Sequence, residues 1–392
     1  MSWKEKTVEN QRKEFVERVL RWEKSKSALC REYGISRPTG DKWIGRYLRG
    51  ESMEDRDKTP FHTPNKTKAE TEQRIIELRN KHPAIGAKKL KRMMENKGEF
   101  APAYSTINAI LHRNGLITKE DSAASTPHVR FEKEHPNDMW QADFKGNFAM
   151  KDGKRCHPLT VVDDHSRFCL CLEAKSNERD EDTRESFVRA FEYHGLPDTL
   201  LCDNGNPWGT VQSAGYTKFE VWLMDLGILT KHGRIRHPQT QGKDERFNGS
   251  LLRERIRYRE YDDLIQAQKD FDEYKDFYNN ERPHHSLNLD TPLRRYRASM
   301  RKLPQVIDDW EYEKNIQTRQ VKSSGYFTFM GQGYFLSEAF GGNIVGLRES
   351  DEANNEFLVL YRNFCVAKLN VDDRIVIARK PFVFLPFRSV SV

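Results

Sequence analysis

The chain has 392 residues, room for two to four domains. Charged residues make up 32% and hydrophobic ones 36%, but 22 Phe, 14 Tyr and 7 Trp supply enough apolar bulk to exclude wholesale disorder. No window approaches 18 uncharged apolar residues, and MSWKEKTVENQRKEF lacks the apolar centre of a secretory signal, so neither a membrane span nor export is expected. Six scattered cysteines then read as free thiols in a reducing cytoplasm. Charge is uneven: residues 1–130 carry a net +10 and the remainder a net −3. A basic front on a near-neutral body points to a polyanion-binding module fused to something else.

Residues 12–48 read as helices, with Phe15, Val16, Val19, Leu20 and Trp22 at helical spacing. Gly34 ends one helix and Ser36 caps the next, with Pro38 in its first turn. Trp43, Ile44 and Tyr47 form that helix's inner side, and Arg37, Thr39, Lys42 and Arg46 the other. This is a helix-turn-helix pattern whose second helix offers basic and polar groups to a major groove. Residues 50–66 read as a linker. Residues 67–117 return to helical periodicity, with a basic cluster at Lys88, Lys89, Lys91 and Arg92 and a Ser105 cap on the last helix. Four segments result: a helix-turn-helix domain at 1–58, a second helical DNA-binding domain at 59–125, a core at 131–300 and a β-rich segment at 301–392.

From residue 138 the texture changes. Strands are expected over Trp140–Phe148, His157–Asp163, Phe168–Leu172, Thr199–Cys202 and Ile228–Thr230, with helices over 183–194, 217–226 and, as one long charged stretch, 241–277. Three strands followed by alternating helix and strand describe a mixed α/β sheet. Residues 321–392 (GYFTF, YFLSEAF, EFLVLYR, RIVIAR) suggest a small β-barrel. Within the core, three acids stand out by placement. Asp143 sits in an apolar strand, Asp203 where a strand ends before Asn204-Gly205, and Glu245 at the start of a helix. A carboxylate in an apolar strand is costly without an ionic partner, and a hard divalent cation suits three converging carboxylates. Asp163 and Asp164 read as turn residues beside Arg167.

The segments Trp140-Gln141-Ala142-Asp143-Phe144, Val162-Asp163-Asp164-His165-Ser166-Arg167, Cys202-Asp203-Asn204-Gly205, His237 to Asn248 (HPQTQGKDERFN) and Tyr278 to His284 (YNNERPH) occur in that order. Over residues 10–300, and most strongly over 138–298, the chain resembles the DDE transposases of bacterial insertion sequences, whose catalytic core is like that of retroviral integrases. The resemblance implies a ribonuclease-H-like core and carries that family's catalytic, metal-holding acids onto Asp143, Asp203 and Glu245. The stretch between Asp203 and Glu245 is longer than is commonest in the family, and position 244 is Asp where an apolar residue is commoner.

That family's activity would be cleavage at the ends of a mobile DNA element and joining of the 3′ ends to target DNA, with two Mg²⁺ or Mn²⁺ ions. The expected partners are double-stranded DNA, as terminal repeats and as target, and further copies of the chain in a dimer or larger assembly, in the cytoplasm with the nucleoid. Lys231, Arg234, Arg236, Lys243, Arg246, Arg253, Arg255, Arg257 and Arg259 are candidates for phosphate contacts, beside Arg37, Thr39, Lys42, Arg46, Lys88 and Lys89 on the helical units. Gln239 and Asn248 are candidates for orienting DNA near the acids. The rival readings are a domesticated regulator that binds DNA without cleaving it, and a nuclease of the same fold.

Overall fold

The computed structural model describes residues 7–56, 67–117, 132–203, 205, 207–209, 215–233, 242–351 and 355–383, of which 378–383 by backbone alone. The chain divides into two compact units, residues 1–66 and 67–392.

In the first unit, α1 (Val8–Leu20), α2 (Lys26–Glu32) and α3 (Arg37–Leu48) each start on a hydroxyl cap: Thr7, Ser25 and Ser36 accept from the backbone N–H three residues on. Phe15, Val16, Leu29, Cys30, Trp43 and Met53 form the core. Gly34, at φ +61°, makes the turn before α3. Gly40 lets α3 approach closely, since a Cβ there would lie 2.9 Å from Cys30 Sγ. One expectation for α3 is corrected. Arg46 is buried: it donates to Glu54 O at 3.0 Å, pairs with Glu51 at 3.5 Å and lies over the Trp43 ring. Three residues is nearly a full helical turn, so Arg46 shares Trp43's side and faces inward. Arg37 and Lys42 are exposed and Thr39 is half-buried.

In the second unit, α4 (Ala69–Lys81), α5 (Ala87–Asn96) and α6 (Tyr104–Arg113) do not stand apart as a domain. Their buried Ile75, Leu78, Leu90, Met93, Met94, Ile107, Ile110 and Leu111 join one apolar cluster with Phe247, Leu251, Phe271, Tyr274 and Phe277 of the core. His82 stacks on Phe277 at 4.2 Å, and Lys97 pairs with Glu281. The cap before α6 is Ala103, without a side-chain bond, so Ser105 lies inside the helix.

The central sheet runs β4–β3–β1–β5–β6, with β2 (Phe148–Ala149) continuing along β3 beyond β1. β1 (Trp140–Phe144) is antiparallel to β3 (Arg155–Asp163) and parallel to β5 (Thr199–Cys202), which is parallel to β6 (Leu229–His232). Alternation splits the core: Val161, Leu159 and Ala142 face α7 (Asp180–His194) and α8 (Lys218–Asp225), whereas Val162 and Cys169 face α9 (Gly242–Glu254) and α10 (Leu264–Asn280). The expected single helix over 241–277 is therefore two. Asp263 caps α10 by accepting from Gln266 N at 2.8 Å, and a single 3₁₀ turn (Ile256–Tyr258) lies between the two helices.

β4 (Cys169–Lys175) pairs with β3 and has no second strand neighbour among the described residues. Side chains of α10 fill that edge. Asn279 accepts from Cys169 N at 2.8 Å and donates to Cys169 O at 2.9 Å. Lys275 donates to Leu170 O, Gln268 donates to Leu172 O, and Gln268 accepts from Ala174 N.

Among the described residues, the C-terminal strands do not close into the expected barrel. They form an open five-stranded antiparallel sheet, β13–β12–β11–β10–β7, with a separate hairpin of β8 (Tyr326–Phe329) and β9 (Gln332–Phe335). β7 (Gln317–Gln320) and β13 (Ile375–Val383) are the sheet's edges, and β10 (Ile344–Glu349), β11 (Glu356–Tyr361) and β12 (Phe364–Asn370) share an apolar cluster with Val221 and Met224 of α8 and with Tyr216 just before it. Asp225 accepts from Tyr361 Oη and pairs with Arg362. No described helix is long and apolar enough to cross a membrane.

Two outcomes follow for stability. Asn279→Ala leaves the buried Cys169 amide and carbonyl unmet, so chemical denaturation should show a loss of about 2 kcal/mol. His194 lies among the rings of Trp140, Phe168, Tyr193 and Tyr296, and burial pushes its pKa down to about 4 from the ordinary 6.5. Between these values the unfolded chain binds a proton the folded one refuses. This part of the stability is therefore whole above pH 6.5 and lost as pH falls toward 4. Denaturation curves of His194→Asn at pH 7 and pH 4 should differ by roughly 2 kcal/mol less than those of the unmodified chain.

Candidate active site

The β1–β5 register sets Trp140 opposite Leu200 and Gln141 opposite Leu201. Asp143 follows Gln141 by two residues and Asp203 follows Leu201 by two, so β1 carries one acid and β5 leads into the other at the carboxyl edge of the sheet. Asp203 is exposed. Its carbonyl faces His232 Nδ1 at 2.9 Å, and His232 Nε2 faces Glu220 Oε1 at 2.8 Å, Glu220 being part of the α8 capping box with Thr217. Downstream of Asp203, buried Trp208 pins the chain against Phe144, Phe187 and Phe219.

α9 brings the third acid. Its buried Asp244, Phe247, Asn248 and Leu251 face the sheet, and Glu245 in its first turn is exposed. A polar network seats its N-terminus. Gln141, in β1, donates to Asp164 Oδ1 at 2.7 Å and accepts from Asp244 N at 3.3 Å. Asp164 also accepts from Lys133 N and forms an ion pair with Lys243. Burial pushes the Lys243 ammonium pKa down, against the pull of Asp164. Asp163 accepts from Asn137 N, Ser166 N and Ser166 Oγ. The two acids are thus buried anchors, and Arg167 pairs with Glu132.

Burial raises the Asp143 carboxyl pKa above the usual range, and the charge of Asp203 raises it further, with smaller pushes from Glu178 and Glu245. The charges of Asp203 and Glu245 thus both bear on Asp143, and so does that of Glu178, which sequence reasoning missed. Its contact with His157 Nδ1 at 2.7 Å was not legible, because it joins a strand to the loop after β4. Among the described residues, no three His, Cys, Asp or Glu side chains are gathered into a group that could hold a metal ion. The chemistry of the donor set still suits one: the carboxylate oxygens of half-buried Asp143 and exposed Asp203 and Glu245 are hard ligands.

The expected phosphate contacts fall into three groups. Lys231, Arg246, Arg253 and Arg257 are exposed. Arg255 and Arg259 both pair with buried Asp270, at 3.1 and 2.5 Å, and Lys243 is held by Asp164. Arg234, Arg236 and Gln239 lie outside the described residues. On the helices, Lys88 is exposed beside the Tyr104 ring, but Lys89 is half-buried toward Arg282. Burial, then Arg282, pushes its pKa down to about 7. Lys89 therefore lies in the seam between α5 and the core rather than on a free basic face.

Comparison with known families now bears on this edge. An integrase core domain model matches residues 133–238, a second integrase core domain model matches 226–292, and a homeodomain-like domain model matches 39–111. Residues 133–292 thus match integrase core domain models. It is 24% identical over 225 residues to a 31.7 kDa protein of insertion element IS407 from Burkholderia multivorans, covering 56% of this chain and 78% of the relative. It is 25% identical over 227 residues to a 39.2 kDa protein of insertion element IS476 from Xanthomonas euvesicatoria, covering 56% and 62%. Among solved structures, the HTLV-2 integrase catalytic core in complex with magnesium is 18% identical with a TM-score of 0.33, covering 42% of this chain and 99% of that one.

Within the integrase core, Lys243 has a structural role that can be measured. Lys243→Ala strands the fully buried Asp164 carboxylate, and urea denaturation should show a loss of roughly 3 kcal/mol.

Proposed function

We propose that this chain binds the ends of a mobile DNA element, cleaves phosphodiester bonds there, and joins the freed 3′ ends to target DNA. The observation that supports the reading is the parallel pairing of β1, which carries Asp143, with β5, which leads into Asp203, together with the bearing of the Asp203 and Glu245 charges on Asp143. Asp143, Asp203 and Glu245 would hold the divalent cations. Bound Mg²⁺ or Mn²⁺ would supply activation of the attacking oxygen and stabilisation of the leaving one in an in-line displacement at phosphorus. The protein's own part is placement. The sheet edge fixes Asp143, His232 fixes the Asp203 backbone, and the α9 seating fixes Glu245.

DNA would be held by charge and read by helix. Exposed Lys231, Arg246, Arg253 and Arg257 supply phosphate contacts around the acids. Arg37, Thr39 and Lys42 on α3 are the groups for base edges in the terminal repeat, with Lys88 adding charge from α5. Handling two ends at once calls for at least two copies of the chain on DNA.

The test is Asp203→Asn with a labelled terminal-repeat duplex and Mg²⁺. Cleavage and joining should fall by roughly 10³-fold or more, while the gel-shift affinity for the same duplex stays within about twofold. Normal cleavage and joining by this variant would overturn the reading.

A further inference from the structure

Position 244 carries Asp where the resemblance leads one to expect an apolar side chain, and none of the three proposed cation-holding acids accounts for it. Asp244 is 1% exposed. Its carboxylate is met from two sides. The Thr160 hydroxyl lies 3.1 and 3.2 Å from its two oxygens, and Asn248 Nδ2 donates to Oδ2 at 3.0 Å. Thr160 and Asn248 also reach Asp143: the Thr160 hydroxyl is 3.1 Å from Asp143 O, and Asn248 Nδ2 is 3.2 Å from Asp143 Oδ2. Asn248 is 5% exposed and Thr160 fully buried, so water is no ready substitute for these partners.

The orientation of Asn248 is the informative detail. Its amide nitrogen sits between two carboxylates, and no other orientation gives both an N–H donor. Its carbonyl oxygen, also buried, has no hydrogen-bond partner among the described residues. An orphaned buried acceptor is tolerated where two charge-assisted bonds outweigh it. An apolar residue at 244 would remove one of those bonds and leave the Thr160 hydroxyl with Asp143 O alone.

We infer that Asp244 is a positioning residue: by orienting Asn248 it fixes the rotamer of the Asp143 carboxylate, and with it the cation affinity of the site. Partners behind a ligating carboxylate are typically worth 10–100-fold in metal affinity. The inference rests on Asp143 being a ligand, as proposed above.

The test uses the full chain and Mn²⁺ alone as probe, followed by paramagnetic resonance, beside joining assays on a labelled end duplex. Asp244→Val should bind Mn²⁺ about 10-fold more weakly and lower kcat by a similar factor, with KM for DNA unchanged. Asp244→Asn keeps an acceptor facing Asn248 and should stay within about threefold of the unmodified chain. Asn248→Ala should match Asp244→Val, and the double variant should be no worse than either single, since both cut the same chain of contacts. Circular dichroism establishes folding, and Asn248→Ala carries the test if Asp244→Val does not fold. Unchanged Mn²⁺ affinity in Asp244→Val and Asn248→Ala, additive losses in the double variant, or equal damage from Asp244→Asn and Asp244→Val would overturn the inference. Asp143→Asn separates the two levels. If it still binds Mn²⁺ and joins DNA, the reading of the site falls. If it is inactive while Asp244→Val and Asn248→Ala behave normally, the positioning role alone falls.

Discussion

A buried chain of polar contacts ties β1, the turn after β3 and the start of α9 into one piece. Gln141 bonds Asp164 with its amide nitrogen and the Asp244 backbone with its carbonyl, while Asp164 holds Lys243. Two of the acids at the sheet edge are placed by it. Asp143 is two residues from Gln141 in β1, and Glu245 is two residues from Lys243 in α9. The apolar face of α9 contributes hold, but Phe247 and Leu251 alone would allow the helix to slide or roll. Directional bonds to groups that cannot turn to water set its register.

The arrangement concentrates negative charge where the fold gains least from it. Asp143 and Asp244 are brought within reach of one Asn248 amide, with Asp203, Glu245 and Glu178 nearby, and the buried members are held above their ordinary pKa. Two other well-covered acids meet cations of the chain's own. Asp270 meets Arg255, Arg259 and Tyr261, and Glu254 meets Arg282. Asp143 and Asp244 instead share the neutral Asn248 amide, a contrast that marks this edge as the candidate working site.

Much of this was legible in the sequence. Hydroxyl caps, Gly34 and the apolar spacing give the first three helices their boundaries, and short apolar runs ending in Asp gave the strands that position Asp143 and Asp203. The misreadings share a cause. Arg46, Arg255 and Lys89 were read as DNA-facing cations, but each lies against the protein's own groups, as Arg255 does against Asp270. The seam between α5 and the core is non-local, so helices that look like a separate domain share their apolar cluster with α9 and α10. Barrel closure is a pairing between strands distant in sequence, and the C-terminal strands stack in an open row from β7 to β13. The all-buried β12 also lacks the alternation that announces a strand.

The sealed flank of β4 constrains how copies of this chain could meet. Its amides and carbonyls at Cys169, Leu170, Leu172 and Ala174 are already taken by Gln268, Lys275 and Asn279, so no foreign extended segment finds a template there. A surface approaching that flank would meet the side chains of α10 in place of open backbone groups, so shape and charge would have to do what a ladder of amides does elsewhere.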